Sequence, residues 1–323
     1  EMLRSLVGSE MCIRDRYRTK GMINLSSLMH IVSMDDFSDL RYEEWTPVNA
    51  PEVDLSKSIF DILARKNILL CHPYQSYEPV LRFIEEAAED KAVLSIKQTL
   101  YRTSPKSRIV AALKKAAENG KYVTVLVELK ARFDEARNIT WAKELEKSGV
   151  QVIYGVKGLK VHSKIAVVIR KETSGIVRYM HFGTGNYNEN TARIYSDISY
   201  MTSDNDIGLD ASACFNAMCG YSEIPPFLKI SMSPGGIRRK LMEHIDAETK
   251  RALAGEKALI MAKMNSLADE KIIELLYNAS MAGVKILLNV RGICCLKPGI
   301  KPVSYTHLRA HETPEHLVCR LLL

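Results

Sequence analysis

The sequence predicts an α/β fold built of two similar units, with mixed, mostly parallel sheets flanked by helices and the second unit truncated. Three observations carry this. Apolar segments of strand length alternate with amphipathic segments of helix length from about residue 76 to 202. The amphipathic segments close on glycine, at Gly120 and Gly149, and a buried-type strand follows at once, which is how βαβ units read in sequence. The order strand, polar turn, helix, glycine, strand then returns over 257–295, where setting Gly120 on Gly283 aligns "NGKYVTVLVELKAR" with "AGVKILLNVRG".

The elements follow in order. "SYEPVLRFIEEAAED" has apolar residues at helical spacing from Val80, and "AVLSIKQTLY" is an apolar strand. "KSRIVAALKKAAENG" is an amphipathic helix ending at Gly120, "KYVTVLVEL" a buried strand, "NITWAKELEKSG" a helix ending at Gly149, and "VQVIYGV" a strand. "HSKIAVVI" is the next strand, starting at His162, and "VRYMHFGTGNYN" leads into "YSDISYMT". Residues 207–256 read as a junction, with "EIPPFLKISMSPGG" as its hinge-like stretch. In the repeat, "ALIMAKMNSL" matches "AVLSIKQTLY", each with a lysine near its end, Lys263 and Lys97.

Composition narrows the class. The 323 residues are 46% hydrophobic and 26% charged, ordinary for a globular protein. No window approaches 18 consecutive apolar residues. A formal charge of +7 permits an anionic partner without choosing one. Seven cysteines without regular spacing point to reduced thiols and a cytoplasmic location. An aromatic content of 7%, with 14 Tyr against 2 Trp, does not favour a base-stacking nucleic-acid platform.

Both ends look foreign. "SLVGSEMCIRDR" and "VSYTHLRAHETPEHLVCRLLL" share no periodicity with their surroundings and resemble translated sequencing-adapter read-through. "HETPEH" does not make a zincin motif, because His311 and His316 are five apart where one helical turn needs four. The expected organisation is therefore an artefact-like stretch 1–16, an upstream tail and linker 17–58, a first domain 59–224, a truncated second domain 225–302 and an artefact-like stretch 303–323.

His162 and Lys164 stand two apart on a strand, and so share a face. A histidine satisfied by a backbone carbonyl in the core is the plain alternative to a nucleophile. Lys164 would be costly to bury unpaired, so that face is expected to open onto an anion. "HFGTGNYNENTARIY" follows, a glycine-rich turn with Asn186 and Asn188 whose N–H groups can meet phosphate oxygens, Gly183 and Gly185 allowing close approach. Arg102, Arg132 and Arg291 each follow a strand, where the ligand crevice of a parallel sheet lies, and guanidinium forks suit phosphate. Asp134 and Glu135 beside Arg132 could orient the arginines or approach a metal ion.

His-x-Lys followed by a Gly-x-Gly-Asn turn resembles the phospholipase D arrangement, in which histidine attacks phosphorus. Position 169, where that motif carries Asp, is Ile, a departure that points away from a standard phosphodiesterase. Six blocks, "IKQTLYRTS", "ELKARFDEARNI", "KGLKVHSKIAVV", "FGTGNYNENTARIYSDIS", "KMNSLADEKIIELLYNASMAGV" and "VRGICCLKPGI", resemble the polyphosphate kinases of the first type, in order, over residues 17–302. The resemblance implies two phospholipase D-like domains and reversible transfer of the ATP terminal phosphate to inorganic polyphosphate. It implies His162 as phosphoryl acceptor with Lys164 beside it, Arg102 and Arg132 in a Mg²⁺/phosphate site, and Tyr195, Arg291 and Asn186 at the nucleotide. It further implies an N-terminal domain, a later second histidine, peripheral membrane association and a homo-oligomer in the full-length protein. A phospholipase D-like phosphodiesterase and a non-catalytic polyanion-binding module remain the alternatives.

Overall fold

The computed structural model describes residues 21, 22, 24, 27–32, 34–43, 45–104, 106–128, 135–156, 158–220, 223 and 226–299, and the backbone of 307–309; the side chains of 29, 37 and 135–137 are outside the description. The chain divides into two compact units, 1–46 and 47–323. The described part of the first holds a short helix α1 (Leu28–Val32) and a three-ten turn (Asp35–Leu40).

The second unit begins with α2 (Ile59–Leu63), β1 (Ile68–Cys71), α3 (Glu78–Glu89), β2 (Val93–Leu100), α4 (Arg108–Glu118), β3 (Tyr122–Val127), α5 (Glu135–Lys147) and β4 (Gln151–Tyr154). The chain then forms β5 (Lys164–Glu172), β6 (Gly175–Gly183), β7 (Ile198–Thr202) and α6 (Asn205–Met218). These seven strands make one sheet in the order β1-β7-β6-β5-β2-β3-β4. The β2-β3-β4 half is parallel and comes from the βαβ units expected from the glycine-terminated helices. The other half is antiparallel, built on the β5–β6 hairpin, whose two-residue turn hands over to Gly175 at φ 122°. The helices form where local chemistry directs them: the Ser107 hydroxyl accepts from Val110 N at the start of α4, and Asp204 accepts from Ile207 N at the start of α6.

Alternation within β5 explains the layering. Ala166 and Val168 join the core beneath α2–α5, whereas Ile165 and Val167 pack with Phe215 and Met218 of α6 on the opposite face. Phe60, Phe83 and Tyr179 anchor the first core, with Phe60 tilted 48° to Phe83 and edge-on to Tyr179 at 5.0 Å. Each such fully buried ring contributes about 1.5–3 kcal/mol from apolar burial.

A smaller parallel sheet follows. It comprises β8 (Leu259–Met264), β9 (Lys285–Val290) and the backbone strand β10 (His307–Arg309), with α7 (Ile237–Leu253) and α8 (Glu270–Met281). The stretch read as a junction, 207–256, contains most of α6 and all of α7; its apolar positions serve two different cores, so no single period dominates it. Strand β1 also went unanticipated, being only four residues long with an alternating burial that short windows do not reveal.

Candidate active site

The chemistry gathers at one edge of the seven-stranded sheet. Parallel β2, β3 and β4 all end there, and antiparallel β5 starts there, because Gln98 of β2 pairs with Ala166 of β5. The strand containing the histidine is shorter than its pattern implies: β5 begins at Lys164, and His162 precedes the ladder. Side chains take over the hydrogen bonding of this lead-in. Thr99 Oγ1 donates to Ser163 O at 2.8 Å and accepts from Ile165 N at 3.1 Å, and Lys164 Nζ donates to His162 O at 2.5 Å.

His162 is an exposed residue whose ring stands edge-on to Tyr101, with centroids 5.1 Å apart and planes at 78°. Three cations surround the same Tyr101 ring: Lys164 Nζ at 5.1 Å, Lys160 Nζ at 5.4 Å and Arg102 Cζ at 5.7 Å from its centroid. Desolvation by the neighbouring protein, followed by Lys164, Lys160 and Arg102, holds the His162 imidazole below its ordinary pKa. The ring is therefore biased toward its neutral, nucleophilic form. Lys164 is buried, and that burial, with Arg102 adding and Asp197 opposing, brings its ammonium down to about 8.

The glycine-rich turn lies beside this cluster, between β6 and β7. A Cβ on Gly185 would stand 2.5 Å from Asp197 Oδ2 and 2.8 Å from its Cγ, so the close approach the structure displays at Gly185 is to a carboxylate. Asp197 Oδ1 accepts from Thr184 Oγ1 at 2.7 Å, and Thr184 Oγ1 accepts from Ile198 N at 2.9 Å. Asp197 faces Lys164 and also Lys263 of β8. Asn186 Oδ1 is buried with no hydrogen-bond partner among the described residues. The core-histidine description fits two other residues: His72 bonds Gln75 O and Ser199 Oγ, and His181 bonds Tyr187 Oη at 2.8 Å.

Residues from the smaller sheet reach the same loop. Arg291, just past β9, places its guanidinium 5.3 Å from the Tyr195 ring centroid, and Lys263 Nζ donates to Ser196 O. The structure thus brings His162, Lys164 and Arg102 together around Tyr101, and Tyr195 and Arg291 together as a second cluster, with Asp197 between them. Arg132 and Asp134, and the side chain of Glu135, lie outside the described residues, as do His311 and His316. Sequence reasoning gave no role to Tyr101, Lys160 or Asp197; the first two flank motif residues, and "YSDIS" held the only hint of the third. Among the described residues no group of three or more His, Cys, Asp and Glu side chains stands together as for a metal ion.

Known proteins share the sequence and fold of this chain. Residues 58–224 match the profile of the polyphosphate kinase C-terminal domain 1, and residues 230–312 that of the polyphosphate kinase C-terminal domain 2. The chain is 52% identical over 286 residues to a polyphosphate kinase of Rhodopirellula baltica, covering 88% of this chain and 34% of that one. It is 51% identical over 292 residues to a polyphosphate kinase of Lactiplantibacillus plantarum, covering 89% and 40%. The crystal structure of polyphosphate kinase from Porphyromonas gingivalis superposes with a TM-score of 0.78 at 35% identity, over 91% of this chain and 48% of that one. The chain spans less than half the length of these relatives. With both domain profiles matched in order along it, the chain belongs to the polyphosphate kinase family.

Proposed function

We propose that the chain is the phosphoryl-transfer portion of an enzyme that moves the terminal phosphate of ATP to inorganic polyphosphate, reversibly, through a phosphohistidine on His162. The observation that carries this is the imidazole of exposed His162, biased toward neutrality and set edge-on to a Tyr101 ring that three cations also contact. A nitrogen of His162 attacks the γ-phosphorus, the bond to the bridging oxygen breaks, and ADP departs with that electron pair. A terminal oxygen of polyphosphate then attacks the same phosphorus and the P–N bond breaks, returning the imidazole. A phosphoramidate keeps much of the transfer potential of an anhydride, which suits extension of an anhydride chain.

Lys164, Lys160 and Arg102 stabilise charge on the equatorial oxygens during both steps. Tyr195 and Arg291 form the nucleotide side, and Asn186 Oδ1 is an acceptor for a ligand N–H or O–H. Among the described residues the groups around His162 are cations rather than metal ligands, so these do not fit a resident Mg²⁺. The ion belongs with the substrate, on the phosphates of ATP, and Arg102 and Arg132 share those phosphates with it. The domain bounds 59–224 and 225–302, a homo-oligomeric full-length protein and peripheral membrane association belong to the same reading. No described helix is long and apolar enough to cross a membrane, and a cytoplasmic location agrees with the five described cysteines being free thiols. The phosphodiesterase reading is weaker because Ile169, in the place of its Asp, packs with the apolar cluster under α6. Incubation with [γ-³²P]ATP tests the proposal: an acid-labile, base-stable label is expected on the wild type and absent from His162→Ala.

A further inference from the structure

We propose that Glu128 and Asn138 are positioning residues that hold His162 in register with the Arg102 loop, Glu128 acting on His162 through the amide of Val161. The inference rests on the role given to His162 above. Glu128 is the first residue past β3 and is only 4% exposed. Burying a carboxylate is costly, and an apolar side chain would fill that space without the cost, so packing alone does not account for it. Its hydrogen bonds are what the site uses.

The Glu128 side-chain Oε2 accepts from Val161 N at 2.8 Å. This is the residue before His162, in the lead-in where no strand ladder exists to fix the backbone. The Glu128 carbonyl accepts from Asn138 Nδ2 at 3.0 Å, and the same Nδ2 donates to Tyr101 O at 2.9 Å. Asn138 is fully buried, and its Oδ1 accepts from Trp141 Nε1 at 3.1 Å, so this amide has both ends engaged. Glu128 N donates to Leu100 O at 3.1 Å. Val161–His162 on one side and Tyr101–Arg102 on the other are thereby tied through Glu128 and Asn138. That is the spacing which sets the His162 ring on Tyr101 among the cations.

Three variants separate geometry from charge. Glu128→Gln keeps an acceptor at the same reach without the charge. Glu128→Asp keeps the charge but withdraws it by one methylene, ~1.5 Å. Glu128→Ala removes both. Phosphorylation of His162 by [γ-³²P]ATP is followed in single turnover over a range of ATP concentrations, with hydrogen exchange at the Val161 amide measured alongside. Glu128→Gln should stay within about threefold of wild type, while Glu128→Asp and Glu128→Ala lose roughly tenfold to a hundredfold in rate with half-saturating ATP unchanged. Val161 exchange should accelerate in the latter two alone. An aspartate variant at least as fast as the glutamine variant, or unchanged Val161 exchange in both Asp and Ala variants, overturns the proposal. If Glu128→Ala does not fold, the Gln–Asp comparison decides. If the wild type takes no label, the phosphotransfer reading has failed, and Val161 exchange judges the clamp alone.

Discussion

Gly185→Ala is the perturbation whose cost the structure defines most closely. The backbone of Gly185 does not lie in the left-handed region, so alanine meets no conformational penalty there. What it meets is Asp197: the new methyl would stand 2.5 Å from Oδ2, 2.8 Å from Cγ and 3.0 Å from Cβ. Because even the Cβ is close, the aspartate cannot clear the clash by rotating its carboxyl alone. It must shift away, loosening the 2.7 Å bond from Thr184 Oγ1. Forcing a methyl into filled space costs typically 1–3 kcal/mol, and a hydrogen bond to a charged group contributes a further ~1.5–3 kcal/mol. With partial relaxation the expected loss is about 2–4 kcal/mol, measured by urea unfolding. The double variant with Asp197→Ala should lose less than the sum of the two single variants, since only the 3.0 Å contact with the residue 197 Cβ remains, giving a coupling of about 1–3 kcal/mol. A Gly185→Ala protein within roughly 0.5 kcal/mol of wild type, or strictly additive effects, would mean that Asp197 does not fill the space beside Gly185.

Two further outcomes concern stability. Asp210 of α6 is buried, which opposes its ionisation, yet N–H groups of Leu228, Lys229 and Ile230 at 2.9, 2.6 and 3.0 Å hold its carboxyl below the usual range. Asp210→Asn should therefore cost about 1–3 kcal/mol in urea unfolding and hasten proteolysis near 228–230; an unchanged midpoint and cleavage pattern would contradict this. Burial, with His72 adding to it, pushes His181 down to about 3 from an ordinary 6.5. The unfolded chain then binds the extra proton first, so stability present above pH 6.5 is lost as pH falls toward 3. By linkage the loss from this group reaches about 2 kcal/mol at pH 5. His181→Gln should flatten the slope between pH 8 and 5 by that amount, and an equal slope in both proteins would sink the assignment.

The parallel half of the sheet was legible because glycine-terminated helices and continuous apolar strands are local signals, read within 15 residues. The antiparallel half was harder: β1 is four residues long, and its partner β7 lies some 130 positions along the chain. Of the site, His162, Lys164, Arg102 and Arg291 could be named from motif and position, and Tyr195 from resemblance. Tyr101, Lys160, Asp197 and Glu128 could not, since their roles arise from which strand ends the topology brings together. The start of the histidine strand was misjudged by two residues for a related reason. Thr99 and Lys164 supply bonds that imitate a strand where none continues, and apolar alternation cannot tell the two apart.

The most direct measurement is tandem mass spectrometry of the protein after brief exposure to ATP, under neutral to basic conditions that preserve phosphoramidates. A single phosphoryl group is expected on the His162 imidazole, lost on acid treatment and discharged by added ADP or polyphosphate. Phosphate found on His181 or on a hydroxyl residue instead, or label undiminished in His162→Ala, would contradict it.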